Sequence, residues 1–245
     1  MALPALVFVH GGGLAADCWE LTVDEIHRIA PELTVLAVDL PGRRCKPGDL
    51  RTVTVADWVD SVVADIDDAG LNDVVIVGHS MAELTVPGVV TKLGDSRVRE
   101  MIFAAACVPA DGLAMVDVVA KWTALAARHN AKKGGPYTVP AAVARFAFFN
   151  GVPRARRESM VGRLYPESSQ ILMEKVSRRN MPRNVPRTWI LTLRDRTHPI
   201  KEQRASIEAI GGVQTLIEID TCHCLMVSEP QRLAAILVER CRLYP

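Results

Sequence analysis

The segment Val77-Gly78-His79-Ser80-Met81-Ala82 stands between an apolar run and a helical pattern in this 245-residue chain. Gly78 lies two residues before Ser80 and Ala82 two residues after it. A serine framed by small residues fits a strand-to-helix turn so tight that larger flanking side chains would clash. The turn would push the Ser80 hydroxyl off the sheet edge, at the N-terminus of the next helix. The free N–H groups and dipole of that helix favour developing negative charge. Ala82 departs from the G-x-S-x-G pattern by one methyl. Glu83 follows where a second small residue is more usual; an acid in a first helical turn suits the dipole, and the alternative is that it crowds the elbow or alters the pocket.

A second motif ends the first apolar run: His10-Gly11-Gly12-Gly13. Glycines allow close backbone approach to a ligand and leave N–H groups free. A phosphate loop would need a following Gly-Lys-Ser/Thr or a G-x-G-x-x-G, and neither is present. The run fits an oxyanion hole better, with the Gly12 N–H acting beside that of Met81.

A nucleophilic serine needs a base. Of the six histidines, His27 lies among charges on a helix, and His129 ends a helix, where a cation suits the dipole. His10 and His79 sit inside the strand-end motifs and are expected to shape them. His198 follows the candidate acid too closely. His223 follows the last strand and precedes the last helix, so chain order favours it as the base. The acid belongs after the penultimate strand, where Asp195 stands in Arg194-Asp195-Arg196-Thr197-His198-Pro199. There a carboxylate would fix the histidine tautomer and stabilise the imidazolium. A surface turn acid is the plainer alternative for Asp195, Asp111 is the runner-up, and Asp220 is too near His223 along the chain.

Six β-rich runs must position these residues: Ala5–His10, Leu33–Asp39, Asp73–Gly78, Met101–Cys107, Thr188–Leu193 and Thr215–Asp220. Most are continuously apolar, as strands buried on both faces are, which predicts a parallel sheet covered by helices. Between them Val55, Trp58, Val59, Val62, Val63 and Ile66 keep helical spacing, with Gly70 as the stop. Ser228-Glu229-Pro230 opens the last helix. The alternation predicts a doubly wound α/β fold of about six strands. With strand order 2-1-3-4-5-6, the switch point lies between strands one and three. Both motifs then converge on one crevice.

One connection breaks the rhythm. Between Cys107 and Thr188 lie about eighty residues without a convincing strand, too many for a loop. An inserted helical cap over 110–186 is expected, on a core of 1–109 and 187–245. The periodicity predicts roughly four cap helices. Met115, Val119, Trp122 and Leu125 mark one over Leu113–Asn130, and Val143, Phe146 and Phe149 another over Pro140–Asn150. Pro153 and Pro166 mark two more starts.

Composition narrows the function. With 29 Lys+Arg against 28 Asp+Glu the net charge is +1, and aromatics are 5 %. Nucleic-acid binders normally show a large basic excess and stacking platforms, so that class is excluded. Hydrophobic residues at 49 % exclude disorder. No run of about eighteen apolar residues exists, so no membrane span is expected. Met1–His10 is apolar but has no basic region and runs into glycines, unlike a signal peptide. A cytoplasmic protein is the expectation. Cysteines 18, 45, 107, 222, 224 and 241 read as reduced thiols. Cys222-His223-Cys224 lacks a second ligand pair, so no metal is called for, and no residue pattern calls for a cofactor. A homodimer is compatible with the sequence.

These motifs resemble the α/β-hydrolase superfamily. The matching pieces are HGGG at 10–13, DLPG at 39–42, GHSMA at 78–82, the D-x-x-x-P of Asp195–Pro199, and HCLMVSEP at 223–230. The chain starts at the oxyanion strand, as the compact methylesterase and hydroxynitrile-lyase branch does. The resemblance implies Ser80 as nucleophile, His223 as base, Asp195 as orienting acid, and Gly12 and Met81 as oxyanion donors. Epoxide hydrolases and dehalogenases of this fold carry Asp at the elbow, where Ser80 stands. The lyases of the compact branch carry Lys after the catalytic histidine and lack Gly after the first-strand histidine. Here those positions are Cys224 and Gly11. The resemblance therefore implies a serine esterase acting on a small ester, lactone or thioester. The alternatives are a non-hydrolytic enzyme of the fold (carbon–carbon lyase, perhydrolase or cofactor-free oxygenase) and a ligand-binding receptor.

Charge is split unevenly. Of the 29 basic and 28 acidic residues, 13 and 5 lie in 110–186, a net +8. The remaining 16 and 23 give the core −7. Solvated helix faces explain such an excess, since surface charge specifies little. The sharper expectation is a cap that attracts an anionic substrate or an acyl carrier.

Overall fold

A computed structural model gives the fold and describes residues 3–44 and 46–245. Met1, Ala2 and Cys45 lie outside the described residues, as does the side chain of Trp122. The strands are β1 (Ala5–Val9), β2 (Val35–Val38), β3 (Val74–His79), β4 (Val98–Ala104), β5 (Arg187–Thr192) and β6 (Thr215–Ile219). They form one sheet in the order β2-β1-β3-β4-β5-β6, and every pairing is parallel.

The apolar runs follow from this arrangement. Every residue of β1, β3 and β5 is buried. Alternate residues go to opposite faces, as the two-residue period of a strand requires. Val7 and Val9 of β1 and Ile76 of β3 join one core cluster, while Leu6, Phe8, Val75 and Val77 join the other. The first face is covered by α2 (Val55–Asp68) through Trp58, Val62 and Ile66, and by α3 (Val86–Leu93) through Val89 and Val90. The second is covered by α1 (Glu20–Ile29) through Ile26 and by the C-terminal helix Pro230–Cys241 through Leu233 and Leu237. Thr54 and Asp57 form a reciprocal capping box that starts α2. Such a cap contributes about 1 kcal/mol.

The strand β4 begins earlier than its apolar run and ends at Ala104 rather than Cys107. Ala105 takes a positive φ of 47° and turns the chain out of the sheet. The Cys107 amide then donates to Ser80 O at 3.0 Å, so this turn lies over the serine.

The β4–β5 connection contains four helices: α4 (Lys121–Lys132), α5 (Ala141–Val143), α6 (Arg154–Val161) and α7 (Ser169–Met173). The helix expected over Leu113–Asn130 is split: a 3-10 turn at Met115–Asp117 precedes α4, which starts only at Lys121. The break changes the helical phase. Leu125 is consequently 69 % exposed, and α4 packs through the small Ala127 instead. The short α5 runs into a π-helical turn, Ala144–Phe148, which leaves Phe146 exposed. Pro153 precedes α6 as expected. Pro166 starts no helix; Ser168 caps α7 with its side chain. After β5 come α8 (Ile200–Ala209), a short α9 (Leu225–Ser228) and α10 (Pro230–Cys241). Among the described residues no helix is long and apolar enough to cross a membrane.

Candidate active site

The turn after β3 holds Ser80 at a positive φ of 54°. That backbone region is costly for a residue with a side chain and is found where surrounding structure enforces it. The enforcement is visible. A Cβ on Gly78 would strike the Glu83 carboxylate and come within 2.9 Å of Val86 Cγ2. A Cβ on Gly11 would lie 2.7 Å from His79 Nδ1 and 2.9 Å from Ser80 Cβ. The glycine motif at the end of β1 therefore packs directly onto the serine turn. Ser80 opens a 3-10 turn, Ser80–Leu84, and α3 starts only at Val86. The regular α-helical N-terminus expected behind Ser80 is thus displaced by six residues.

Ser80 Oγ lies 2.9 Å from His223 Nε2, and His223 Nδ1 lies 2.7 Å from Asp195 Oδ2. An ionised carboxylate accepts, so Nδ1 carries the proton and donates it. The Nε2 lone pair is then left facing the serine O–H. Asp195 follows β5 and His223 follows β6, and the parallel pairing of Thr192 with Ile219 brings their loops to one edge. Asp195 is buried at 6 % exposure and fully engaged. Thr192 Oγ1 donates to Oδ2 at 3.0 Å, and the Thr197 and His198 amides donate to Oδ1 at 2.8 Å each. Burial alone would raise its pKa. The His223 charge and these hydrogen bonds overcome that and hold it below the usual value. The runner-up acids lie elsewhere: Asp111 pairs with Arg178 and Asp220 with Arg194.

The other histidines behave as scaffolding. His79 Nε2 donates to His223 O at 3.0 Å. His10 Nδ1 donates to Gly11 O at 2.9 Å, and its Nε2 accepts from the Leu40 amide at 3.2 Å. Burial is the main cause that pushes both down to about 3, so both are neutral at ordinary pH. His198 Nε2 meets Ser206 Oγ at 2.9 Å. His27 and His129 are exposed.

Glu83 departs from the sequence reading. It does not sit at an exposed helix start where the dipole would favour its charge. It is 1 % exposed, and among the described residues neither carboxyl oxygen has a hydrogen-bond partner. Burial pushes it well above the usual carboxylate range, against the opposing charge of Arg178.

Sequence reasoning passed over Glu167 and Arg43. Both are buried, and Arg43 Nη2 lies 2.5 Å from Glu167 Oε2. The same oxygen accepts from the Gly13 amide at 3.1 Å, and Oε1 accepts from the Ser168 amide at 2.9 Å. Arg43 Nε donates to Leu14 O at 2.9 Å. A carboxylate from the β4–β5 connection thus holds the loop carrying Gly12. The only sequence signal was two charges of opposite sign 124 residues apart. Phe148 was missed as well; its ring tilts against His223 with centroids 5.4 Å apart.

Ser80 and His223 open onto a cavity of about 440 Å³. Gly12 and Met81 line it, and among the described residues neither amide donates to a protein acceptor. The walls are mostly apolar, including Met115, Val119, Val139, Val143 and Leu172. The charged lining residues are Glu167, already paired, and Arg196.

The sequence profile of the alpha/beta hydrolase family matches residues 6–236, and the chain belongs to that family. A protein of Arabidopsis thaliana named methylesterase 15, chloroplastic, is 27 % identical over 256 residues, covering 98 % of this chain. The chain spans 57 % of that relative's length. An extracellular α/β-hydrolase from a Paenibacillus species has a TM-score of 0.82 at 21 % identity, covering 96 % of this chain and 98 % of that one. Tomato methylketone synthase I, solved with 2-tridecanone, has a TM-score of 0.79 at 17 % identity, with all of both chains covered. At these identities the solved structures share the fold with this chain.

Proposed function

We propose that the protein is a serine esterase for small carboxylic esters, lactones or thioesters. The observation that carries this reading is the chain of contacts from Ser80 through His223 to Asp195, opening onto an apolar cavity. Ser80 Oγ attacks the carbonyl carbon while His223 Nε2 takes its proton, and Asp195 stabilises the imidazolium. The negative charge on the carbonyl oxygen develops against the Gly12 and Met81 N–H groups. His223 gives its proton to the leaving alcohol or thiol, then activates the water that releases the acid.

Residues 110–186 act as a cap that roofs the site: Val119, Thr123, Val143 and Leu172 line the cavity. Those walls suit an apolar acyl or alkoxy arm. The positive excess of the cap lies largely away from the cavity, on helix surfaces and in pairs such as Arg128 with Asp117 and Arg163 with Glu20.

A fluorophosphonate probe with peptide mapping tests the reading. Label on Ser80, lost in Ser80→Ala together with turnover of p-nitrophenyl esters, is the expected result. Retained esterase activity in a folded Ser80→Ala protein would sink the assignment, and failure across all chain lengths would favour a receptor.

A further inference from the structure

Beside the mouth of the cavity lies a second, more open hollow of about 720 Å³. Arg145, Arg157, Arg194 and Arg196 line it. Ala142, Phe146 and Arg196 border both spaces, so the two adjoin at these side chains. Two of these arginines come from the β4–β5 connection and two from the loop after β5. The charge at the mouth is therefore not simply the cap excess counted from sequence.

Carboxylates answer only part of this charge. Glu158 accepts from Arg145 at 2.7 Å and lies 3.8 Å from Arg157. Asp220 pairs with Arg194 at 3.0 Å. Asp195 also borders the hollow, but its oxygens are turned inward to His223, Thr192 and two amides. Arg196 has no carboxylate partner among the described residues. Its guanidinium lies 4.6 Å from the centroid of the exposed Phe146 ring. One N–H reaches Phe146 O at 3.4 Å. A guanidinium resting over an aromatic ring keeps its remaining N–H groups available to an anion.

Inside and mouth therefore differ in kind. The interior is apolar, and its Glu167 carboxylate is already paired, so an anion placed deep would lose hydration without gaining a partner. At the mouth an anion meets an unanswered guanidinium and a positive surround. Building on the esterase reading, we propose that the substrate is an amphiphile. Its apolar arm fills the cavity, and its other end carries a carboxylate or phosphate bound at Arg196, in the field of Arg145, Arg157 and Arg194. Arginine takes both anions by paired N–H donation.

The test compares matched esters. Monomethyl adipate carries the anion, methyl hexanoate is its neutral counterpart, and an S-hexanoyl phosphopantetheine carries a phosphate. The readout is the ratio of kcat/KM for each anionic substrate to that for methyl hexanoate. Arg196→Gln should lower it about tenfold and Arg196→Glu further. Raising NaCl from about 0.05 to 0.5 M should lower the wild-type ratio, and that of Arg196→Gln by less, because only the field of Arg145, Arg157 and Arg194 is left to screen. A response by one anionic substrate alone identifies the anion as carboxylate or phosphate. Ratios insensitive to Arg196 overturn the proposal even where all three esters are cleaved. The same ratio taken from Kd values on Ser80→Ala separates the two readings. Arg196-dependent binding without wild-type turnover upholds the anion site and removes the esterase; no measurable binding of either anionic ester overturns the site.

Discussion

Asp195 and Glu83 are both buried carboxyl groups near Ser80, and they resolve burial in opposite ways. Asp195 accepts from His223, Thr192 and the Thr197 and His198 amides, and is held ionised. Glu83 accepts from none of the described residues and is pushed toward its neutral form. Removal from water penalises the charged form at both positions. What separates them is the number of donors the fold brings to each. The end of β5 and the loop after it bring a threonine and two amides to Asp195, whereas Glu83 lies beside Gly78 and Val86, between the sheet and α3. Burial depth alone would rank the two alike.

Asp195→Asn should break the satisfied member hardest. The amide can present its NH2 to His223 Nδ1 and favour the wrong tautomer, so that Nε2 no longer accepts from Ser80. The expected loss in kcat is about 10⁴-fold, with the fold intact. Pre-steady-state kinetics should show acylation and deacylation both slowed, since His223 is the base in each. A loss of less than about tenfold would show that His223 keeps its tautomer without this carboxylate, and that the donors around Asp195 serve the loop alone.

Glu167 extends the comparison to a buried carboxylate satisfied from outside its own loop. Glu167→Ala leaves Arg43 buried and unpaired, which typically costs about 3–5 kcal/mol. Glu167→Gln keeps an acceptor for the Gly13 amide and isolates positioning from folding. If Gly13 is the lever that aims the Gly12 N–H, Glu167→Ala should lose about ten- to a hundredfold in kcat with little change in KM, part of the 10²–10³ expected for a whole oxyanion donor. Glu167→Gln should recover most of it. Equal kcat in both variants would reduce Glu167 to a stability role.

The sequence made the elements and their order legible because the signals were local. Continuous apolar runs reported strands covered on both faces, and the switch point followed from strand order. Ser80, His223 and Asp195 were legible because each sits at a strand end, where topology leaves few destinations. The cap was harder. Its helices are short and α4 packs through the small Ala127, so periodicity misplaced Leu125, and Pro166 signalled a helix that Ser168 begins. Pairings that reach far along the chain, such as Arg43 with Glu167, leave no mark in spacing. Glu83 was read from the general rule for acids in a first turn. That rule assumes solvent, and only the packed structure reveals that Glu83 has none.

Glu83→Gln gives the smallest effect and the sharpest reading of the contrast. Because the folded-state pKa of Glu83 is raised above its unfolded value, its contribution to stability is fully present below about pH 4.5. It is lost progressively as pH rises toward the folded value. Glutamine carries no proton to lose, so the variant should gain on the parent by a few degrees in Tm at pH 8 and by less at pH 5. His10 and His79, whose folded pKa values near 3 lie below the unfolded value, destabilise both proteins as pH falls below about 6.5. Their effect cancels in the difference between the two Tm values. Turnover should stay close to the parent, because Glu83 reaches neither Ser80 nor the cavity wall. A Tm difference that does not grow with pH would show that Glu83 is ionised in the fold and satisfied in solution.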